Sequence, residues 1–260
     1  MKVYISTDME GISGVLTWEQ VGREGKNPEY ENARHLLTQD VNAAVQGAIS
    51  GGAEEVVVMD GHSSGFNFVL EELDPRASYI TGPTRVNVYP GLDESFDAVY
   101  TSDVLGHVED VRTWLLELNR VLKSNGVLAM FSESKLGKHA WLRNYLFKRG
   151  LNVDPHENYH ISLYSRTLLH EYIEEAGFYI KRIYSAFWAS FLVHPDEFYE
   201  KLQSQKKFPV LRCLNKILFL VKKKTHPVST ALGELYGLVE MLTLGRWLEA
   251  QGYIILAKKK

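Results

Sequence analysis

Hydrophobic positions along this chain follow two patterns, short apolar runs and longer stretches with helical spacing. The short runs at residues 2–7, 55–59 and 96–100 predict buried strands. The second run is continuously apolar, as in a parallel strand that is covered on both faces. Between the first two runs, apolar residues at helical spacing predict a helix that ends at Gly51 and Gly52. Strands that alternate with helices indicate an α/β fold.

The same alternation continues after residue 96. Helices are predicted near residues 114–122, 141–146 and 166–176, the first closed by residues 124–126, and strands near 126–131, 178–184 and 253–257. Residues 186–251 are mostly helical in pattern, with a second long helix predicted over 229–250. The chain is therefore predicted to form a mostly parallel, three-layer, Rossmann-like sheet with flanking helices and a helical insertion near residues 186–251.

The insertion contains a very apolar segment, residues 211–221, which is followed by three lysines. Such a segment fits contact with lipid or an anionic substrate, but we favour a core helix with a solvated end. Cys213 is accordingly predicted to be a buried structural thiol. No apolar run approaches the ~18 residues of a membrane span, and no signal peptide is evident, so a cytoplasmic protein is expected.

Composition adds a difference between the two ends of the chain. Of 260 residues, 45% are hydrophobic, enough for one large domain or two small ones. Residues 1–96 carry 6 Lys and Arg against 15 Asp and Glu, whereas residues 97–260 carry 23 against 17. The sequence motifs before residue 96 also differ in type from those after it. We therefore expect two parts of different origin, residues 1–96 and 97–260, which can share one sheet. Nothing predicts nucleic-acid binding.

Polar residues with metal-binding chemistry follow the first two predicted strands. Asp8 and Glu10 come after the first strand, and His62 comes after the second. Ligands bind at the carboxyl edge of open parallel sheets, and two carboxylates with one imidazole suit zinc. Acids at strand ends also serve as helix caps or turn formers, so this pattern alone leaves both interpretations open.

The strings VYISTDMEGISG at residues 3–14, VMDGHS at 58–63 and GLDESFD at 91–97 resemble the zinc D-aminopeptidases. This resemblance implies a two-zinc site with Asp8, Glu10 and His62 as three of its ligands. It also implies hydrolysis of small peptides with a D-residue at the amino end, by an enzyme assembled into large rings. The resemblance ends near residue 97, and only His107 and Glu133 are suitable nearby substitutes for the missing ligands. We therefore expect a partial zinc site, weak or absent hydrolysis and no assigned catalytic residue.

A second resemblance covers residues 96–260. FDAV at 96–99, SDVLGHVED at 102–110, LELNRVLKSN at 116–125 and GYIILAK at 252–258 resemble class I S-adenosylmethionine-dependent methyltransferases. The resemblance implies that a cofactor pocket for S-adenosylmethionine is lined by Ser102, Asp103, Leu105 and His107. A glycine-rich turn is missing after the first strand. Asp60 is the candidate acceptor for ribose hydroxyls.

Three functional hypotheses follow. The first is a hybrid protein with a partial zinc site that acts weakly, or not at all, on small peptides. The alternative is a methyltransferase for a small molecule, with an aberrant cofactor loop. The third is a folded scaffold without activity. The oligomeric state stays open.

Overall fold

A computed structural model describes residues 1–9, 12–15, 18–22, 27–83, 89–102, 104–133, 137–154 and 161–260. The chain forms two compact units. The first comprises Met1–Ser132, His170–Arg182 and Ile255–Lys260, and the second comprises Glu133–Leu169 and Ile183–Ile254.

Seven strands form one sheet in the order β3-β2-β1-β4-β5-β7-β6. Their bounds are β1 Lys2–Thr7, β2 Glu55–Asp60, β3 Ser78–Ile80, β4 Phe96–Ser102, β5 Leu122–Glu133, β6 Phe178–Ala186 and β7 Gly252–Lys259. The pairs β1–β2, β1–β4, β2–β3 and β4–β5 are parallel. The predicted Rossmann-like fold, a mostly parallel sheet with flanking helices, is confirmed, and strands from both sides of residue 97 lie in the same sheet.

The helices of the chain are α1 Trp18–Val21, α2 Pro28–Ser50, α3 Val111–Val121, α4 Trp141–Lys148, α5 Arg166–Glu175, α6 Ser190–Val193, α7 Asp196–Gln203, α8 Pro209–Thr225 and α9 Val228–Thr243. Short 3-10 helices cover Leu70–Glu72, Leu105–His107 and Leu244–Arg246. None of these helices, within the described part of the chain, has the length and apolar character needed to cross a membrane.

Helix α2 packs against strands β1 and β2. Its first turn is capped by Asn27, whose side chain accepts a hydrogen bond from the backbone N–H of Glu29 at 3.0 Å. Buried residues then recur about every four positions and pack with the buried side chains of β1 and β2. They are Ala33, Leu37, Val41 and Val45. This packing explains why the apolar spacing predicted the helix.

Strand β4 lies between β1 and β5 in the middle of the sheet. Phe96 is fully buried and lies edge-to-face with Tyr4 of β1, with ring centroids 5.4 Å apart. Asp97 accepts hydrogen bonds from the Lys2 backbone N–H at 2.8 Å and from Lys123 Nζ of β5 at 3.1 Å. These two donors, the backbone N–H first, lower the pKa of Asp97. One strand therefore makes specific contacts with both neighbours.

The predicted close of α3 at residues 124–126 is wrong. Strand β5 begins directly after the helix, at Leu122. Its pairing with β4 moves from Phe96 opposite Leu122 to Ala98 opposite Val127, so the residues between are accommodated as a bulge. Asn125 has φ 65° there, a left-handed conformation that Asn tolerates. The Ser-Asn-Gly turn signal thus marks an irregularity within a strand.

Helix α9 also ends earlier than the predicted residue 250. It stops at Thr243, and the 3-10 turn that follows contains Gly245. A Cβ at Gly245 would lie 2.3 Å from the carbonyl oxygen of Ser185. The close approach of the two backbones requires a glycine and ends the regular helix.

Candidate functional site

The site lies where β1 and β2 end side by side. Thr7 pairs with Asp60, so Asp8 and the segment Gly61–His62 leave the same edge of the sheet. Strand β1 also pairs with β4 on its other side, with Ser6 opposite Thr101. Because successive connections leave β1 in opposite directions, this edge is the topological switch point at which open α/β sheets bind ligands.

Asp8 and His62 are in direct contact. His62 Nδ1 lies 2.8 Å from Asp8 Oδ1, and the side chains are 12% and 21% exposed for His62 and Asp8. The other ring nitrogen, Nε2, lies 3.0 Å from the backbone carbonyl oxygen of Val21. A carbonyl oxygen only accepts hydrogen bonds, so Nε2 carries the hydrogen. An ionised Asp8 is also an acceptor, so a proton or a metal ion must lie between it and Nδ1.

The turn that carries His62 is held by a buried polar network. Both Asp60 oxygens accept hydrogen bonds from Asn67, one from its backbone N–H at 2.6 Å and one from its side-chain amide at 2.8 Å. The same amide donates to the His62 carbonyl oxygen at 2.7 Å. Asp60 is fully buried. Its role in this arrangement is to shape the turn, and these contacts give no support to the ribose-acceptor hypothesis.

Helix α2 completes this network. The hydroxyl of Tyr30 donates to Asn67 Oδ1 at 2.6 Å, and Arg34 donates to the carbonyl oxygens of Asn67 and Phe68. Asn67 and Tyr30 were missed in the sequence, although Asn67 interrupts the apolar run from Phe66 to Leu70, which is a signal for a buried polar role. Nothing in the sequence indicates the carbonyl of Val21, because it is a backbone atom.

Other predicted site residues are placed only in part. Glu10 and Asp103 lie outside the described residues, and so does the side chain of Glu133. Ser102 ends β4 and His107 ends the following 3-10 helix, both partly exposed, while Leu105 is fully buried. Across the described stretches of the chain, no three His, Cys, Asp or Glu side chains gather as a metal-binding group.

The side chains of Asp8 and His62, a carboxylate and an imidazole, are of the types that bind zinc. Imidazole and carboxylate ligands bind zinc at ~2.0–2.2 Å in tetrahedral geometry, so two ligand atoms stand about 3.3–3.6 Å apart around the ion. Nδ1 and Oδ1 lie 2.8 Å apart, a hydrogen-bond distance, so the two side chains would separate by about 0.5–0.8 Å to hold zinc between them. A histidine that binds a metal usually donates its other N–H to a carbonyl or carboxylate, as His62 does to Val21.

The N-terminal part of the chain is similar to a known family. Residues 1–102 match the family model of the D-aminopeptidases, peptidase family M55. The N-terminal segment is D-aminopeptidase-like. The D-aminopeptidase of Bacillus subtilis strain 168 is 38% identical over 97 residues, which cover 37% of this chain and 35% of that protein. The chain thus spans about a third of the length of this curated relative.

Solved structures show both resemblances. The Zn-dependent D-aminopeptidase DppA from Bacillus subtilis, a self-compartmentalizing protease, is 36% identical over 38% of this chain and 36% of its own, with a TM-score of 0.36. Methyltransferases are similar over nearly the whole chain. The phosphoethanolamine N-methyltransferase 2 of Haemonchus contortus, in complex with S-adenosyl-L-methionine, is 17% identical over 100% of this chain and 48% of its own, with a TM-score of 0.47. Sequence identities and TM-scores this low carry no information about the chemistry of the site.

Proposed function

We propose that this hybrid protein binds zinc at the end of β1 and β2, through Asp8, His62 and Glu10. The supporting observation is that both ring nitrogens of His62 face acceptors, at 2.8 Å and 3.0 Å, so that the position between His62 and Asp8 is one that a proton holds in the metal-free protein and that a zinc ion can take. We also propose that the boundary between the two parts, residues 1–96 and 97–260, separates this site from the rest of a D-aminopeptidase centre.

Zinc supplies Lewis acidity and an activated water when an open coordination position is available. The residues of this chain hold and orient the site: Val21 fixes the ring of His62, and Asn67 fixes the turn that carries it. Near the junction in the sequence, His107 and Glu133 are the residues of suitable type to replace the remaining ligands, and neither stands in the sequence context of the D-aminopeptidases. We therefore propose that hydrolysis of a small peptide with a D-residue at its amino end is weak or absent.

We expect the purified full-length protein to bind one zinc ion, and the variants Asp8→Ala and His62→Ala to lose roughly 100-fold or more in affinity. The measurement is competition with a chromophoric chelator, together with the visible absorption spectrum of the Co²⁺-substituted protein. These readouts report the metal site whether or not the protein hydrolyses peptides.

The matched control is His35→Ala. His35 Nδ1 also lies 2.8 Å from a carboxylate, Glu72 Oε1, but both side chains are exposed and stand on α2 and a surface 3-10 helix. This variant should bind zinc as the wild type does. Equal affinity of wild type and His62→Ala, or no zinc bound by either, would refute the proposed site.

A second candidate function is binding of S-adenosylmethionine for methyl transfer to a small molecule. The observation that favours it is the position of Ser102 at the end of β4 and of His107 shortly after it, at the switch point beside β1. Against it, the turn after β1 holds Asp8 and the fully buried Met9 where such a site would have close-packed glycines.

Titration calorimetry distinguishes the two functions. If the methyltransferase hypothesis is correct, S-adenosylmethionine should release heat on binding, and Ser102→Ala and His107→Ala should weaken the binding about 10-fold, the loss of one or two hydrogen bonds. A titration without heat at high ligand concentration would exclude it. If the zinc and cofactor titrations are both blank while unfolding remains cooperative, the protein is an inactive scaffold.

A further inference from the structure

Helix α8 leaves one apolar face in solvent, although a core helix was expected. Val210, Leu214, Ile217 and Val221 recur every three to four residues along this face and are 43–79% exposed. The opposite face packs against α7, where Phe219 stacks on Tyr199 with centroids 3.9 Å apart. Cys213 is exposed as well, so its predicted burial is wrong for the same reason.

Helix α9 exposes a second apolar stripe. Val228, Leu232, Leu235, Val239 and Leu242 follow one another at helical spacing and are 48–64% exposed. Trp247, just beyond the helix, is 78% exposed. The one buried residue of α9 is Glu240, whose carboxylate accepts hydrogen bonds from the backbone N–H groups of Trp188 and Ala189. Contiguous apolar surface of this extent indicates contact with a partner or a membrane.

The charged residues around the α8 stripe are nearly all positive. Residues 201–233 contain eight Lys and Arg residues and no Asp or Glu. Lys206, Lys207, Lys216, Lys223 and Lys224 are exposed, whereas Lys222 is paired with Asp196 at 2.5 Å. The first exposed acid beyond this segment is Glu234 on α9. The apolar face of α8 is thus bordered by cations.

An open groove of about 580 Å³ lies at the start of α8. Tyr145 and Phe208 line it together with Val210, and their two rings meet edge-to-face with centroids 6.1 Å apart. Arg149 and Lys207 supply positive charge at the same groove. Apolar walls with cations suit an acyl chain joined to an anionic headgroup.

We propose that α8 and α9 dock on the surface of a membrane that contains anionic lipids. The apolar stripes enter the boundary between headgroups and acyl chains, and the lysines contact the headgroups. Neither helix is long and apolar enough to span the bilayer. A second copy that pairs its own α8 with this face is a poorer occupant, because it would bring the same uncompensated cations to the contact.

The test is co-sedimentation of the full-length protein with vesicles. We expect binding to vesicles of phosphatidylcholine mixed with phosphatidylglycerol, little binding to phosphatidylcholine alone, and weaker binding as salt is raised. Lys223→Gln/Lys224→Gln should lower the affinity roughly 25-fold, about 5-fold per lysine. The matched charge control is Lys181→Gln/Lys260→Gln, two exposed lysines outside the insertion, which should bind like the wild type.

The apolar stripes are tested by Ile217→Gln/Leu235→Gln. Both side chains are more than half exposed, so this variant should unfold at the wild-type temperature while losing vesicle binding. Analytical ultracentrifugation is run in parallel. Absence of binding to the anionic vesicles would overturn the proposal. So would a lipid-independent dimer that dissociates in Ile217→Gln/Leu235→Gln, which would assign the stripes to a second copy.

Discussion

Replacing Arg143 with methionine is expected to lower the free energy of unfolding by about 3–5 kcal/mol, the usual cost of leaving one partner of a buried ion pair alone. The side chain of Arg143 is 4% exposed and pairs with Glu197 of α7, which is 22% exposed. Its guanidinium also donates to the Val153 carbonyl oxygen at 3.1 Å and lies 4.3 Å from the centre of the Phe198 ring. Urea unfolding, followed by circular dichroism, measures the loss.

The pH dependence of this loss identifies the ion pair as its cause. Burial raises the pKa of Glu197 to about 7, although Arg143 acts in the opposite direction. A raised folded-state pKa means that stability is fully present below pH 4.5 and declines as the pH rises through 7. Without Arg143 the pKa rises further, so the decline continues to higher pH. The difference between wild type and Arg143→Met should therefore widen from pH 5 to pH 8.

Two further variants complete this experiment. Arg143→Met/Glu197→Gln should regain much of the lost stability, because neither partner then leaves a buried charge. Arg120→Met is the surface control: Arg120 and Glu117 are 56% and 54% exposed, so its cost should stay within about 1 kcal/mol. The explanation fails if Arg143→Met costs no more than Arg120→Met, or costs the same at every pH.

The sheet could be predicted because its signals are local. The apolar run of β2 is continuous, and the buried positions of α2 follow the helical period. The structure has β2 at Glu55–Asp60, close to the predicted residues 55–59, and ends α2 at Ser50, directly before the predicted stop. The proximity of Asp8 and His62 could be predicted because each residue follows one of two neighbouring strands. Strand order, rather than distance along the chain, places residues 8 and 62 within 2.8 Å.

The insertion could not be predicted in the same way. An apolar helix segment has one pattern whether it is covered by protein or left in solvent, so the sequence of α8 was compatible with a core helix. The structure shows that α7 packs against one face of α8 and that Leu214 and Ile217 on the other face are 43% and 54% exposed. Arg143 and Glu197 are 54 residues apart and show no motif, so their pairing appears only in three dimensions.

A hybrid of two α/β segments can fold because the junction lies inside one strand. Strand β4 needs only backbone register and one apolar face to pair with β1 and β5, and Asp97 adds a side-chain contact to each. Active sites are more demanding, since their groups must converge from several strand ends. The sheet is therefore continuous across residue 97, and we propose that a D-aminopeptidase-like site, which would also need side chains from beyond residue 97, is incomplete.

Gly61→Ala is expected to damage the candidate zinc site. A Cβ at residue 61 would lie 2.2 Å from the carbonyl oxygen of Thr7, to which the Gly61 N–H already donates at 2.9 Å. Relief of this clash must separate the ends of β1 and β2, which carry Asp8 and His62. We expect a loss of about 1–3 kcal/mol in stability from overpacking. We also expect zinc affinity to fall roughly 100-fold, as when a metal ligand loses its orientation.

Gly47→Ala provides the matched comparison. Gly47 lies within α2, and a Cβ there would meet no atom within 4 Å, so alanine should stabilise the protein by about 0.4–1 kcal/mol and leave zinc binding unchanged. Urea unfolding and chelator competition on the same preparations separate the two effects. A Gly61→Ala protein that is destabilised but binds zinc as tightly as the wild type would show that the metal does not depend on the joined ends of β1 and β2. That result would exclude Asp8 and His62 as a shared site, because their contact depends on this close approach of the two backbones.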